Sequence, residues 1–435
     1  MASGSGQFKF VDLFAGLGGF HVALEDLGGE CVFAAEWVPQ LQDLYAENYG
    51  IRPAGDITAI APEDVPDHDF LSAGFPCQPF SKAGEQLGFE HTEQGRLFFN
   101  VLEILRAKRP EFFVLENVPN LLKHRNGETY ERILRDLRAL GYDVQTHRLS
   151  PHNFGVPQVR DRLYFAGRLA SLGAFSWPEP THSATTINSV LDRQPADARP
   201  LSDHLLRVLE VWDDFLRRSP EKLQIPSFPI WSMEFGATYP FEECTPTELI
   251  RRHGTRALDP FLGSYGQPLV DLSLEEQLRL LPSHAKRPGQ TFPKWKRDFI
   301  RQNREFYHSH RAWLDPWIPS VTGFASSFQK FEWNAKGEEK TVWKHVLQLR
   351  ASGVRVKRDT TSPSLIAMTE TQVPIISWER RFMTPRECAR LQSLDHIALP
   401  GKASDAFKAL GNAVNARVVE AIAHSLLSRA SDLAA

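Results

Sequence analysis

Hydrophobic residues over the first 170 positions form two patterns, short continuous runs and stretches with helical spacing, and the two alternate. Phe8 to Phe14 reads as a strand, Ala15-Gly16-Leu17-Gly18-Gly19 as a glycine turn and Phe20 to Leu27 as a helix. Gly29 to Trp37 is a second strand with an acid, Glu36, at its end, and Gly55-Asp56-Ile57 closes a third element. Asp69 to Ala73 is a buried strand running into the turn Gly74-Phe75-Pro76-Cys77-Gln78-Pro79. Apolar residues at Leu97, Val101, Ile104 and Leu105 predict a helix from Arg96 to Lys108. Glu111 to Leu115 follows as a strand, Tyr130 to Leu140 as an amphipathic helix, and Tyr142 to Leu149 and Leu163 to Gly167 as further strands. This alternation predicts an open α/β sheet whose ligand crevice lies beyond the carboxyl ends of its strands.

Those strand ends carry the candidate chemistry. A strand, glycine turn and helix let a ligand approach the backbone at a helix N-terminus, although the spacing is not that of a dinucleotide fingerprint. Glu36, roughly twenty residues after the turn, is placed to take ribose hydroxyls, and Asp56 to meet an adenine edge, so a bound adenosine is expected. Cys77 lies at a strand exit in a loop stiffened by Pro76 and Pro79; it is a nucleophile or a small buried thiol packing the turn. Glu116 ends the next strand, where a carboxylate is expensive to bury without purpose unless it caps the following helix. Gln158, Arg160 and Arg162 share one side of an extended segment, facing a ligand or bracing an edge strand. Lys82 to Gly95 is polar and long enough for a lid.

A chain of 435 residues exceeds the size at which one core keeps growing, so two domains are expected. Composition is that of a globular protein, 42% hydrophobic and 24% charged, with no apolar run of bilayer-spanning length and no signal-peptide core. No membrane partner and a cytoplasmic location are therefore expected. Cys31, Cys77, Cys244 and Cys388 show no CxxC and no metal-ligand spacing, which predicts a reduced protein without a metal. A net charge of −3 argues neither for nor against nucleic acid, because a basic face can hide in a neutral total.

Six segments, in order, are similar to motifs of the cytosine-C5 DNA methyltransferases of the bacterial restriction–modification type. Asp12 to Gly19 resembles the cofactor loop, Gly74-Phe75-Pro76-Cys77-Gln78 the Pro-Cys nucleophile motif, and Glu116-Asn117-Val118 the Glu-Asn-Val motif. Gln158-Val159-Arg160-Asp161-Arg162 resembles Gln-x-Arg-x-Arg, Arg381 to Glu387 the ninth motif, and Leu410 to Val414 the tenth. The resemblance implies a class I S-adenosylmethionine-dependent methyltransferase fold, a Rossmann-like mixed α/β sheet with a second, irregular target-recognition domain. It implies a flexible leader over 1–7, a catalytic and cofactor-binding domain over 8–168, a recognition domain over 169–374 and a C-terminal return over 375–435. Ser364-Leu365 departs from the Thr-Leu often found in the recognition region.

The chemistry implied is methylation of C5 of a cytosine flipped out of duplex DNA. Cys77 as thiolate attacks C6, Glu116 with a raised pKa serves N3, Asn117 orients that carboxylate or the loop, and Arg162 with Arg160 behind it holds O2 or a flanking phosphate. S-adenosylmethionine, leaving as S-adenosylhomocysteine, is expected on Phe14, Ala15, Gly16, Leu17, Gly18, Gly19, Glu36, Trp37, Asp56, Ile57, Pro76, Asn412 and Ala413. No residue is an obvious base for the C5 proton, so bound water is expected. Gln78, Ser81, Lys82 and Ser364 are placed against DNA, as are Lys344, Arg350, Arg355, Lys357 and Arg358. A second basic–aromatic cluster, Lys286 to Trp313, touches DNA or else packs Phe299, Phe306 and Trp313 into a helix core. A last helix from Ala413 to Arg429 should bring Asn412 to the cofactor, a role compatible with Asn412 being its N-cap. Expected partners are double-stranded DNA and a restriction endonuclease of the same specificity, with the chain a monomer held at the nucleoid through DNA. Alternatives of other kinds are a tRNA cytosine methyltransferase of the same fold and a catalytically idle DNA-binding regulator.

Overall fold

The computed structural model describes residues 8–76, 93–181, 183–286, 288–367 and 369–431. Cys77, Gln78, Ser81, Lys82 and most of the Lys82 to Gly95 segment lie outside the described residues. Contacts divide the chain into two units, Met1–Ala196 with Thr360–Thr371 and Thr384–Ala435, and Asp197–Asp359 with Gln372–Met383. Residues 169–196 and 360–371 thus pack with the first unit, and 372–383 with the second, rather than dividing at 169 and 374.

The first unit opens with β1 (Phe8–Leu13), α1 (Gly19–Glu25), β2 (Gly29–Ala35), α2 (Pro39–Tyr49), β3 (Phe70–Ala73), α3 (Glu93–Lys108) and β4 (Phe112–Asn117). It continues with α4 (Glu128–Ala139), β5 (Tyr142–Leu149), β6 (Gln158–Val159) and β7 (Arg162–Leu169). The strand order is β2-β1-β3-β4-β7-β5. β1, β2, β3 and β4 are parallel, and β7 runs antiparallel to both β4 and β5. The sheet is therefore mixed. One edge collects the carboxyl ends of β1 to β4 and the amino end of β7, since Asn117 pairs with Leu163. Val11, Leu13, Leu71, Ala73, Phe113, Leu115 and Phe165 of the sheet pack with Val101, Leu105, Ile133 and Leu137 of α3 and α4, all nearly fully buried. Each large side chain buried this way contributes about 1.5–3 kcal/mol. Asp56 ends no strand; it caps a short 3-10 turn, its Oδ1 accepting the Thr58 amide at 2.9 Å.

The second unit carries α5 (Asp203–Arg218), β8 (Ile230–Trp231), α6 (Pro246–His253), α7 (Leu274–Leu280), α8 (Lys294–Leu314), α9 (Ile318–Val321), β9 (Lys330–Asn334), β10 (Val346–Arg350) and β11 (Gly353–Lys357). Next, β12 (Ser362–Pro363) pairs with β6 in the first unit, whereas β13 (Ile375–Ile376) and β14 (Arg381–Phe382) return to the second. The second unit's sheet has the order β14-β13-β10-β11-β9-β8. Its strands are two to five residues long, too short for alternation to announce them among the prolines.

The chain closes in the first unit with α10 (Pro385–Arg390), α11 (Ala403–Asn412) and α12 (Ala416–Ser431). Thr384 and Glu387 form a capping box at α10. α12 starts at Ala416, not Ala413, because Asn415 caps it: its Oδ1 accepts the Val418 amide at 3.1 Å and its Nδ2 donates to the Leu391 carbonyl at 3.1 Å. Asn412 is instead the exposed last residue of α11.

A Cβ on Gly411 would sit 1.9 Å from the Ile366 carbonyl oxygen, whereas one on Gly401 would meet nothing within 4 Å. Gly411→Ala is expected to destabilise the protein by about 1–3 kcal/mol, and Gly401→Ala by less than about 0.5 kcal/mol. Urea unfolding of the two variants checks the contrast.

Candidate active site

The turn after β1 is built by left-handed backbone. Phe14, Gly16 and Gly18 have φ of 58°, 55° and 78°, and Gly18 caps α1. A Cβ on Gly16 would have no neighbour nearer than the Phe14 carbonyl oxygen at 3.9 Å, so that side of the turn offers bare backbone to a ligand. At the end of β2, Glu36 Oε2 accepts the Gly16 amide at 2.9 Å and Oε1 the Val38 amide at 2.9 Å. Burial raises the Glu36 pKa, and the amides of Val38, Gly16 and Trp37 oppose that rise. Each oxygen retains a lone pair for a ribose hydroxyl. Trp37, beside it, is 74% exposed, an unusual state for an indole and one suited to covering a flat purine. Asp56 is exposed and Ile57 buried on the neighbouring 3-10 turn. A carboxylate, an exposed indole and open space beside Gly16 fit an adenosine-bearing group.

The C-terminal return reaches the same place. A Cβ on Gly19 would lie 2.3 Å from the Val414 carbonyl oxygen, so the segment carrying Asn412 and Ala413 runs against the turn. Val414 Cγ2 also approaches the Cβ position of Gly74, at 3.1 Å, with Glu116 Oε2 at 3.9 Å. Close approach, and not backbone angle, therefore leaves no room for a side chain at Gly19 and little at Gly74.

Glu116 and Asn117 end β4 and both are buried. Asn117 Nδ2 donates to the Phe75 carbonyl at 3.2 Å, while its Oδ1 accepts the Val118 amide at 2.8 Å. Of the two roles expected of Asn117, orienting the carboxylate or the loop, its bonds match the second: it holds the Phe75-Pro76 entrance to the Cys77 loop. Glu116 Oε1 lies 2.8 Å from Arg162 Nε. Burial raises the Glu116 pKa, against the opposing charges of Arg162 and Arg160.

Gln158, Arg160 and Arg162 do not act as one face. Gln158 Nε2 donates to the Leu391 carbonyl at 2.6 Å and its Oε1 accepts the Leu365 amide at 3.3 Å. Arg160, 3% exposed, donates to the carbonyls of Leu365, of Gly411 at 3.0 Å and of Ala413 at 3.0 Å. Arg160, expected behind Arg162, directs its guanidinium to these backbone carbonyls. Only Arg162 turns to Glu116, because the strand breaks between β6 and β7.

Ser364, in the first unit, donates its hydroxyl to the Leu365 carbonyl at 3.2 Å. In the second unit, Gln348, Arg350 and Arg355 share the polar face of the β10–β11 hairpin, opposite buried Leu347, Leu349, Val354 and Val356. Arg350 Nε donates to Gln348 Oε1 at 2.7 Å and Arg355 Nε to Glu332 Oε2 at 2.7 Å. Lys344 pairs with Glu339 and Arg358 with Glu338. Lys357 lies on β11 beyond Arg355. In α8, Arg304 pairs with buried Glu234, Arg301 with Glu242 and Asp298, and Phe306 is buried, so much of that cluster is packing. Trp295, 55% exposed, is the exception. Tyr45, Tyr49 and Asn415 were not singled out from sequence. Asn415 stands three residues before Val418, an N-cap spacing, and the two tyrosines stand four apart on one helix.

A family model described as C-5 cytosine-specific DNA methylase matches residues 8–224 and 270–428. The chain is 30% identical to the Type II methyltransferase M.AluI of Cellulosimicrobium cellulans, over 97% of this chain and 92% of that protein. It is 45% identical to the Type II methyltransferase M.HaeII of Haemophilus aegyptius, over 46% of this chain and 63% of that protein. Spodoptera frugiperda DNMT2 superposes with a TM-score of 0.51 at 16% identity, over 96% of this chain and 99% of that one. The Entamoeba histolytica methyltransferase EhMeth superposes with a TM-score of 0.51 at 13% identity, over 98% and 99%. At those identities the two structures show a shared fold alone.

The two arginines should separate on substitution. Arg160→Met leaves three carbonyls without their donor and is expected to cost about 3–5 kcal/mol in urea unfolding. Arg162→Met removes the cation facing Glu116, so the Glu116 pKa rises further. A raised carboxyl stabilises the fold below its unfolded pKa and loses that contribution as pH rises through the folded value. Unfolding midpoints measured from acid to neutral pH should therefore fall more steeply, and to a higher pH, in Arg162→Met than in the native protein.

Proposed function

Since the chain belongs to the C-5 cytosine-specific DNA methylase family and is a DNA (cytosine-5-)-methyltransferase of the Type II kind, we propose that it methylates a cytosine flipped from a specific duplex site, through a covalent Cys77–C6 adduct. The observation that carries this reading is the buried Glu116–Arg162 pair at the sheet edge where the glycine turn, Glu36 and the Phe75-Pro76 entrance to Cys77 also lie.

Cytosine C5 is a poor nucleophile within an aromatic ring. Attack of the Cys77 thiolate on C6 breaks the aromaticity and moves an electron pair toward N3 and C5. Glu116, whose buried carboxyl holds its proton more tightly than an exposed one, donates to N3 and keeps that charge from building up. Arg162 Nε steadies the carboxylate that remains, and its guanidinium is the donor available to O2. Bound S-adenosylmethionine supplies an electrophilic methyl group. Glu36 would hold its ribose, Trp37 and Phe14 its adenine, and the Gly16 to Gly19 turn, Pro76 and the 412–413 segment its remainder. The C5 proton then passes to water, the electron pair expels Cys77 from C6, N3 returns its proton to the Glu116 carboxylate, and the ring is restored.

Unpairing and unstacking the target costs a few kcal/mol, which the recognition unit must offset with DNA contacts. Arg350, Arg355 and Lys357 on one hairpin are assigned that role, with Lys344 and Arg358 exchanging Glu339 and Glu338 for phosphate. The pairing with an endonuclease of the same specificity belongs to this reading. DNA from cells expressing the chain should resist that endonuclease, and bisulfite sequencing should show one protected site.

On duplex DNA carrying 5-fluorocytosine at that site, the native protein should form a covalent complex stable to denaturant. Cys77→Ser should form none. Glu116→Gln should fold normally yet lose about 10²–10⁴-fold in methyl transfer, the usual contribution of a positioned acid. A Cys77→Ser protein that methylates DNA at the native rate overturns the mechanism.

A further inference from the structure

Two tyrosines of α2 touch the cofactor turn from behind, and the mechanism above does not use them. Tyr45 and Tyr49 are four residues apart, so both project from one face of the helix. Tyr49 reaches the middle of the turn: its hydroxyl donates to the Leu17 carbonyl at 2.7 Å. Its ring occupies the place where a Cβ on Gly18 would be, 2.4 Å from Cε2, and there Gly18 has φ of +78°. Tyr45 reaches both flanks. Its hydroxyl donates to Asp12 Oδ2 at 3.2 Å, at the end of β1, and is bonded at 2.7 Å to His21 Nδ1, in the first turn of α1.

The two contacts are joined. The His21 imidazole stacks on the Tyr49 ring at 4.0 Å between centroids and meets the Tyr45 ring edge-on at 5.3 Å. Burial lowers the His21 pKa to about 4, so the ring is neutral near pH 7, with Nδ1–H donating to Tyr45. Burial likewise raises the Asp12 carboxyl well above the usual range. His21, Tyr45 and Asp12 thus form a continuous buried run of hydrogen bonds. The end of α2 is fixed independently: Asn48 Nδ2 donates to the Ala398 carbonyl at 3.2 Å, and its Oδ1 accepts the Ala398 amide at 2.7 Å.

We propose that Tyr45 and Tyr49 are positioning residues for the methyl donor, clamping the Phe14 to Gly19 turn at its two flanks and its centre so that its backbone is set before the donor arrives. Neither hydroxyl touches the reacting atoms. A turn with left-handed residues at 14, 16 and 18 has several accessible conformations. Ordering it beforehand removes an entropy cost from binding and leaves the chemical step untouched. This inference rests on the methyl-donor reading of the turn.

The test uses the full chain, with Tyr45→Phe, Tyr49→Phe and the double variant, and S-adenosylhomocysteine as the probe in calorimetric titration. Each phenylalanine keeps the ring and its packing and removes one hydroxyl. Each single variant should raise the dissociation constant about threefold to tenfold, the scale of one hydrogen bond. The double variant should exceed either alone. KM for the methyl donor should rise in parallel while kcat at saturating donor stays within about twofold. Hydrogen exchange of the peptide spanning 14–19 should quicken in the unliganded variants and return toward native on adding the probe. Unchanged binding and unchanged exchange in variants of the native-binding protein overturn the positioning role alone. A loss of kcat with KM unchanged overturns it too. A native chain that binds no S-adenosylhomocysteine overturns the methyl-donor reading, and the positioning role with it.

Discussion

A guanidinium removed from water must find acceptors, and in this protein that demand assembles the catalytic unit. Arg160 is buried and donates to the carbonyls of Leu365, Gly411 and Ala413, residues more than 200 positions away along the chain. Gln158 adds Leu391 and the Leu365 amide to the same knot. Once 411–413 is held there, the Val414 carbonyl falls against Gly19 and its side chain against Gly74. The glycine turn, the Gly74 turn after β3 and Glu116 are thereby brought within one small space. A buried charge without such partners would cost several kcal/mol, so the arrangement is specified as well as stabilised.

The sheet supplies the other half. Parallel strands deliver Phe14, Glu36, Gly74 and Glu116 to one edge, and the antiparallel β7 begins there with Arg162. Without that reversal Arg162 would lie at the opposite edge, and Glu116 would be a buried acid with no cation beside it. The Glu116 carboxyl is thus held in balance, raised by burial and restrained by the arginine charge.

Much of this was legible in the sequence because the first unit obeys local rules. β5 spans Tyr142–Leu149, the range expected of it, and the α4 pattern differs from the structure only by a residue or two at each end. The strand-end acids Glu36 and Glu116 announced themselves by position. What stayed hidden depends on long-range contact. Spacing alone gives Gln158, Arg160 and Arg162 a common direction, and only the break after β6 shows that two look inward and one toward Glu116. Asn412 had the composition of a cap, but the cap is Asn415, a choice made by the Leu391 carbonyl. The second unit's sheet was missed because strands of two to five residues carry no period.

The first unit is discontinuous, interrupted twice by segments of the second. During synthesis the ribosome delivers the glycine turn, Cys77, Glu116 and Arg162 within the first 162 residues, but the carbonyls that satisfy Arg160 emerge only with residues 365, 411 and 413. A nascent chain therefore carries Arg160 long before the backbone it will be buried against, and a chain truncated before residue 365 lacks all three of those acceptors.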